Sequence, residues 1–182
     1  MGGMRAMTPL LCLLLSVGMA LAAYMADKIT SLPNLSGSLP SAMWAGYLKA
    51  GPNNRIFYWY VESENNPATD PVSIWFNGGP GCSSLGGMWM ENGPFEVSPD
   101  GQTLTLREFR WSRFSNMLWF ENPIGVGFSY SKTNNYSASA VGDFQSAETN
   151  LLAVKDFFLN KMPERRGNAL HLVGESYAGI CE

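Results

Sequence analysis

A serine that follows a short apolar run and a glycine constrains the fold of this chain more than any other feature. The apolar run covers residues 170–173, and residues 174–179 resemble the G-x-S-x-G pattern, with Ala178 in the place of the second glycine. Such a run typically forms a buried strand, which here leads into a sharp turn toward a helix. The turn lifts the hydroxyl of Ser176 clear of the sheet and points the N–H of Tyr177 toward the place where an oxyanion would form. Ser176 is therefore the candidate nucleophile.

The rest of the chain supplies further strands and a helix around this turn. Apolar runs at residues 72–76 and 117–120 predict two more buried strands, and β-prone runs at 44–50 and 56–62 predict a hairpin. Between residues 140 and 162 an amphipathic helix is predicted by apolar residues at steps of three and four, namely Val141, Phe144, Ala147, Leu151, Val154 and Phe158. Strand, helix and strand in that order imply a right-handed parallel crossover. We therefore predict one α/β domain with a mostly parallel sheet flanked by helices.

A glycine-rich segment follows the strand predicted at residues 72–76. It reads NGGPGCSS at residues 77–84 and lies where a serine hydrolase of this kind needs its second oxyanion donor. Glycines let backbone N–H groups approach a developing negative charge without a Cβ in the way. The alternative is a phosphate-binding loop, but the segment lacks both the G-K-[ST] ending of a P-loop and the G-x-G-x-x-G of a dinucleotide site.

The amino terminus has the features of a secretory signal peptide. Arg5 precedes an apolar stretch at residues 10–21, and small residues favour cleavage after Ala22 or Ala23. A membrane anchor is the alternative, but the stretch is short for a bilayer and no stop-transfer pattern follows it. We therefore expect residues 1–22 to be removed, with no stable membrane span afterwards. The remaining domain at 23–182 is expected outside the cell or in a vacuole or lysosome.

Composition and short motifs limit the classes of partner and modification that we expect for this chain. The net charge of −3 and the absence of a Lys/Arg cluster give no reason to expect nucleic acid, and no metal or cofactor is predicted. Sequons at Asn34 and Asn135 predict N-glycosylation. Cys82 and Cys181 remain after signal removal, and either they pair with each other or Cys82 pairs with another cysteine.

Four blocks carry a family resemblance, at residues 75–84, 91–95, 122–130 and 174–179. In order and spacing they closely resemble the serine carboxypeptidases, which have the α/β-hydrolase fold. The resemblance implies Ser176 as nucleophile and peptide C-termini as substrates. It also implies Gly79 and Tyr177 as backbone oxyanion donors, and it assigns recognition of the substrate's C-terminal carboxylate to Trp75, Asn77, Gly78, Glu91 and Glu175. The block at residues 122–130 is assigned no catalytic role.

Two glutamates in a site for a carboxylate require an explanation. Ionised Glu91 and Glu175 would repel the substrate, whereas a protonated carboxyl group can donate a hydrogen bond to it. The alternative is that both glutamates are solvated loop residues. The first interpretation predicts that acidic pH favours substrate binding.

The chain departs from the family pattern after the serine. The family's catalytic order is Ser, Asp, His, but only six residues follow Ser176. The single histidine, His171, lies five residues upstream, roughly 16 Å away along an extended strand, and is expected to be an ordinary strand residue. We therefore expect the N-terminal part of a hydrolase domain that ends just after the turn at Ser176. Alone, it should be poorly stable and essentially inactive.

Three functions remain open at this point. The first is a serine carboxypeptidase that acts through an acyl-enzyme on Ser176. The second is a related acyltransferase, in which another hydroxyl replaces water, since one scaffold can host both reactions. The third is a non-catalytic secreted binding module. The retained Glu91 and Glu175 favour the peptidase, because they suit a free carboxylate.

Overall fold

The computed structural model of the protein describes residues 25–181. The predicted signal segment at residues 1–22 lies outside the described residues. The strands are β1 (Lys28–Ile29), β2 (Met43–Lys49), β3 (Asn54–Val61), β4 (Val72–Phe76), β5 (Phe95–Val97), β6 (Leu104–Leu106), β7 (Asn116–Phe120), β8 (Tyr130–Ser131) and β9 (Leu170–Gly174). The α-helices are α1 (Ser84–Gly87), α2 (Ala138–Val141), α3 (Asp143–Asp156) and α4 (Ala178–Cys181). There are also π-helical turns at Met88–Asn92 and Phe157–Lys161, and 3₁₀ turns at Trp111–Arg113 and Pro163–Arg165.

Within the described residues the main sheet has seven strands, and its antiparallel side is built around β3, which pairs antiparallel with β2, β7 and β8. Its order is β1-β2-β3-β7-β4-β9, with β8 paired to β3. The predicted hairpin is confirmed as β2 and β3, which pair from Met43 opposite Val61 to Lys49 opposite Arg55. Gly51 lies in the connecting turn with φ +96°, a conformation that glycine adopts without a steric penalty.

The parallel part of the sheet lies at the other side and brings two distant segments together. β4 lies between β7 and β9 and is parallel to both, with Ile74 opposite Leu118 on one side and Leu172 on the other. The carboxyl ends of these three strands therefore meet at one edge of the sheet. The predicted parallel arrangement around the crossover helix is confirmed.

The prediction of a mostly parallel sheet is wrong for the described residues. Only the pairs β7–β4 and β4–β9 are parallel, and the other pairs of the main sheet are antiparallel. Short connections such as the turn between β2 and β3 can join only antiparallel strands, because a parallel pair needs a long crossover.

Alternate residues of the central strands face two different hydrophobic layers. On β4, Ile74 and Phe76 pack in one layer with Phe157, which follows α3. Trp75 faces the opposite layer, which contains Met88 and Trp119. Both layers are built on strands whose five residues are all buried, as on β4 and β7. Burial at about 25 cal/mol per Å² of apolar surface makes these two strands the centre of the fold.

The predicted helix is present in two parts, α2 and α3, and its predicted apolar face is covered only in part, because Val141, Val154 and Phe158 pack against the core. Phe144 is 88% exposed and Leu151 is 54% exposed. The buried residues of α3 are Ser146, Thr149, Asn150, Ala153 and Asp156. Periodicity identifies an apolar face without showing what covers it, and polar residues can be buried when they have hydrogen-bond partners.

The apolar side of α3 also borders a shallow groove beside β9. Leu151 and Val154 line this groove of about 280 Å³ together with Leu170 and Leu172 of β9. β9 is the outermost strand of the sheet on this side within residues 25–181.

No helix in the described part of the chain is long and apolar enough to cross a membrane.

Two ion pairs join the residues that follow β3 to distant turns of the chain. Arg110 donates two hydrogen bonds of 2.7 Å to Glu64, and Ser112 donates a third. Burial raises the pKa of Glu64, but the hydrogen bonds from Arg110 and Ser112 outweigh it, so that the pKa lies below its ordinary value. Arg165 of the turn Pro163–Arg165 donates to Glu62 at 2.6 Å.

Candidate active site

Ser176 occupies the bend between the end of β9 at Gly174 and the start of α4 at Ala178. Its φ is +56°, which is uncommon for a residue other than glycine. Within residues 25–181 the other non-glycine residues with positive φ are Asn34 and Asn134, of the residue type that tolerates this conformation best. Such strain in a serine is typical of functional sites, where the surrounding structure holds it in place. The side of the bend that carries Ser176 is exposed.

The glycine loop after β4 lies directly against this bend. A Cβ on Gly78 would lie 2.7 Å from the carbonyl oxygen of Glu175, 2.8 Å from the nitrogen of Tyr177 and 3.0 Å from Cβ of Ser176. Only a residue without a side chain fits this close approach. Gly79 follows with φ +117° and is exposed at the same edge of the sheet. The assignment of its N–H as an oxyanion donor stays a prediction.

Asn77 joins the residues that the sequence assigned to carboxylate recognition. Its Nδ2 donates to Oε1 of Glu91 at 3.1 Å and to Oε1 of Glu175 at 3.0 Å. Its Oδ1 accepts from Nε1 of Trp75 at 2.8 Å. The amide orientation follows from these partners, because the carboxylates only accept and the indole only donates. The structure therefore brings Trp75, Asn77, Glu91 and Glu175 into one hydrogen-bonded cluster, which we call the Asn77 cluster.

α1 supports Asn77 through two further contacts that the sequence analysis missed. The backbone N–H of Asn77 donates to Oγ of Ser84 at 3.1 Å, and the N–H of Gly87 donates to Oδ1 of Asn77 at 3.1 Å. A Cβ on Gly87 would lie 2.4 Å from Nε1 of Trp75 and 2.5 Å from Oδ1 of Asn77. The two serines at residues 83–84 are evident in the sequence, but their hydrogen-bond partners depend on how the loop folds back against β4.

Glu91 reaches the cluster from an unusual helical turn. It lies in the π-helical turn Met88–Asn92 that continues α1, and its side is exposed. Glu175 reaches the same amide from the bend beside Ser176 and is also exposed. π-helical turns occur frequently at functional sites because they redirect side chains. Two carboxylates from distant parts of the chain thus bind the same amide of Asn77, and one of them, Glu175, directly precedes the candidate nucleophile.

His171 is not near Ser176 along the strand and shows no role in the site. It lies within β9 opposite Ser73, as a strand residue, which confirms the sequence prediction. Tyr177 has a different neighbour, since its hydroxyl donates to the carboxylate of Asp143 at the start of α3 at 3.1 Å. Among residues 25–181, no group of three or more His, Cys, Asp or Glu side chains could hold a metal ion.

The remaining candidate residues lie on the surface. Asn34 and Asn135 are both exposed, so each sequon is accessible, and glycosylation stays a prediction. Cys82 has a free, exposed thiol in the glycine loop. The side chain of Cys181 lies outside the described part of the structure, so the predicted pairing of the two cysteines is not tested.

Comparison with known proteins gives a consistent set of relatives. A family model described as serine carboxypeptidase matches residues 33–181. The lysosomal protective protein of Mus musculus is 46% identical over 177 residues, which cover 96% of this chain and 36% of that protein. The serine carboxypeptidase ctsa-4.1 of Caenorhabditis elegans is 40% identical over 177 residues, covering 97% of this chain and 37% of the relative.

A solved structure shows the same similarity in three dimensions. The prohormone-processing carboxypeptidase Kex1(delta)p from Saccharomyces cerevisiae superimposes with a TM-score of 0.70 at 28% identity. The match covers 86% of this chain and 36% of that structure. The chain thus spans about a third of the length of the relatives it matches.

Proposed function

Because the chain belongs to the serine carboxypeptidase family, we propose that its activity is serine-type release of C-terminal residues from peptides. One observation supports this more than any other. Ser176 lies on a strained bend against Gly78, and the adjacent Glu175 belongs to the Asn77 cluster. A nucleophile beside a carboxylate-recognition cluster suits a substrate that is cleaved next to its free C-terminus.

The proposed reaction is acyl transfer in two steps. The Oγ of Ser176 attacks the carbonyl carbon of the last peptide bond and loses its proton to a general base. The C–N bond then breaks, and the leaving amine takes up that proton, which leaves an acyl-enzyme. Water attacks the ester in the second step and restores the hydroxyl. The N–H groups of Gly79 and Tyr177 are the proposed donors to the oxyanion in both steps, and losing one such donor typically costs about 3 kcal/mol.

The general base does not come from the residues near Ser176 described above. The sequence has one histidine, and it lies inside β9 rather than beside the bend. A serine without a base is a weak nucleophile. We therefore expect the 182-residue chain by itself to show little peptidase activity.

The Asn77 cluster is the proposed site for the substrate's carboxylate. Both hydrogens of the Asn77 amide already point to Glu91 and Glu175. A third carboxylate can enter only if it displaces one of these bonds or accepts a hydrogen bond from a protonated glutamate. We propose the second route, in which substrate binding takes up a proton and weakens as pH rises. If both glutamates are instead solvated loop residues, substrate binding should not depend on them.

The pH dependence can be measured without catalysis. An N-blocked amino acid, which carries the free carboxylate of a substrate, is titrated into the natural full-length protein from about pH 4, near the ordinary pKa of glutamate, to about pH 8, where an ordinary carboxyl group is ionised. We expect weaker binding toward pH 8, and we expect Glu91→Gln with Glu175→Gln to flatten that dependence. An unchanged pH profile in the double variant would show that the glutamates do not control binding.

Activity is tested with a blocked dipeptide that has a free carboxylate. We expect the natural full-length protein to release its C-terminal residue, and Ser176→Ala to abolish both this release and labelling by a serine-directed phosphonylating reagent. Ser139→Ala, at an exposed serine of α2, is the matched control and should keep both. Turnover of an acyl-glucose donor instead of the dipeptide would identify an acyltransferase. Absence of labelling in the parent protein would favour the binding module.

The proposed location is the secretory route, either outside the cell or in a vacuole or lysosome. The signal-like sequence at residues 1–22 and the exposed sequons at Asn34 and Asn135 support it. Detection of both glycans on protein expressed in a eukaryotic secretory system would test the assignment.

A further inference from the structure

Glu121 is a buried acid that the proposed reaction does not use directly. It follows β7 immediately and is 1% exposed. Its Oε1 accepts from the hydroxyl of Ser83 and from the N–H of Leu85 at 3.3 Å. Its Oε2 accepts from the N–H of Phe128 at 3.1 Å. A carboxylate with no solvent contact is costly unless donors satisfy both of its oxygens, which these three groups do.

Two of these donors belong to the segment that supports the Asn77 cluster. Ser83 is the residue before α1 and Leu85 lies in its first turn. Within α1, Ser84 accepts from the N–H of Asn77 and Gly87 donates to its side chain. Ser83 itself makes no capping hydrogen bond to the helix, so the carboxylate of Glu121 satisfies the N–H of the first turn instead.

The other side of Glu121 is fixed to the central sheet. Its backbone oxygen accepts from Oγ of Ser129 at 2.6 Å, and that same Oγ accepts from the N–H of Phe57 on β3 at 2.8 Å. A Cβ on Gly127 would lie 1.1 Å from Oε2 of Glu121, and Gly127 has φ +51°. The segment at residues 125–129 therefore closes tightly over the carboxylate.

We infer that Glu121 is a positioning residue, which holds α1 in register so that Asn77 presents Glu91 and Glu175 to the substrate's carboxylate. The inference rests on the proposed function, because it concerns the affinity of the same site. Glu121 acts through Ser83 and Leu85 on α1, and α1 acts on Asn77 through Ser84 and Gly87. The block at residues 122–130 then has a role too, as the wall that confines the carboxylate.

The test separates positioning from general stability by comparing KM with kcat. Glu121→Gln keeps the shape of the side chain but presents an NH₂ group to at least one backbone N–H donor. In the natural full-length protein we expect it to raise KM for a blocked dipeptide with a free carboxylate about tenfold, as for one lost hydrogen bond to a charged group. The kcat per phosphonylation-titrated Ser176 should change much less. A variant that is merely less stable lowers the titrated fraction but leaves KM unchanged.

Ser83→Ala and Asp156→Asn complete the experiment. Ser83→Ala removes one donor and should raise KM in the same direction by a smaller factor. Asp156 is also a buried carboxylate with a backbone donor, the N–H of Lys49 at 2.9 Å, but within residues 25–181 it has no hydrogen bond to α1 or the glycine loop. Asp156→Asn should therefore lower the melting temperature and keep the parent KM.

The KM values separate failure of the positioning role of Glu121 from failure of the proposed function. A folded Glu121→Gln variant with the parent KM would overturn the inference, and if that variant does not fold, a Ser83→Ala variant with the parent KM would do so. A parent protein that binds the blocked amino acid and its amide equally well would instead refute the proposed function. In that case the role of Glu121 in carboxylate binding falls with it.

Discussion

Substitution of Gly87 by alanine tests the Asn77 cluster most sharply, because the new methyl group would lie between two of its members. It would be 2.4 Å from Nε1 of Trp75 and 2.5 Å from Oδ1 of Asn77, whereas ordinary contacts begin at 3.4 Å. Each of those atoms must therefore retreat by about 1 Å. The hydrogen bond of 2.8 Å between Trp75 and Asn77 cannot survive such a movement.

The expected size of the effect follows from what Asn77 holds. Its amide orients the carboxyl groups of both Glu91 and Glu175, and a hydrogen bond to a charged group contributes about 1.5–3 kcal/mol. Loss of one such bond to the substrate corresponds to about a 10- to 100-fold weaker affinity for a free carboxylate. Alanine is intrinsically better than glycine in a helix by about 1 kcal/mol, so any loss must come from the clash.

The assay compares two inhibitors on the natural full-length protein. We expect Gly87→Ala to weaken binding of an N-blocked amino acid by this factor and to change binding of the corresponding amide little. Gly167→Ala is the matched control, because a Cβ there has nothing within 4 Å, and it should behave like the parent. If Gly87→Ala folds and still prefers the free acid as the parent does, the Asn77 cluster is not the carboxylate site.

Two further predictions concern the bend and an ion pair. Gly78→Ala places a methyl group 2.8 Å from the nitrogen of Tyr177. We expect kcat to fall about 100-fold with a smaller change in KM, because a misplacement of about 1 Å near the reacting atoms can cost that much. Steady-state kinetics with titrated enzyme would contradict this if the variant kept the parent kcat. Because the hydrogen bonds from Arg110 and Ser112 outweigh burial and lower the pKa of Glu64 in the fold, its contribution to stability is present at neutral pH and is lost as pH falls through the lowered pKa. Glu64→Gln should therefore lower the melting temperature more at pH 7 than at pH 3, and an equal loss at both values would contradict the argument.

The sequence predicted local features of this fold well. The strand at residues 72–76 has the predicted bounds, and Ser176 lies on the predicted bend with a strained backbone. Both features depend on short stretches, because a buried strand needs a continuous apolar run and a sharp bend needs small neighbours. The residues of the Asn77 cluster came from motif resemblance, and the structure brings them together through a single amide.

Features that depend on distant partners could not be predicted from the same patterns. The predicted apolar face of α3 is covered only in part: Val154 packs against the core, yet Phe144 is largely exposed and Ser146 is buried. Glu121 was passed over because a single acid after a strand has no local signature, and its donors lie 7 and 36–38 residues away. The antiparallel side of the sheet was underestimated, since a count of apolar runs does not give the direction of their pairing.

The space that residue 127 leaves free has an evolutionary consequence. Oε2 of Glu121 occupies the volume where any side chain at position 127 would begin. A homologue with a side chain at position 127 and a glutamate at 121 would have a steric clash between the two side chains. A homologue with a shorter side chain at 121 would leave the three hydrogen-bond donors without an acceptor. The two positions are therefore expected to change in tandem across homologous proteins or not at all, which would make them a covarying pair in an alignment.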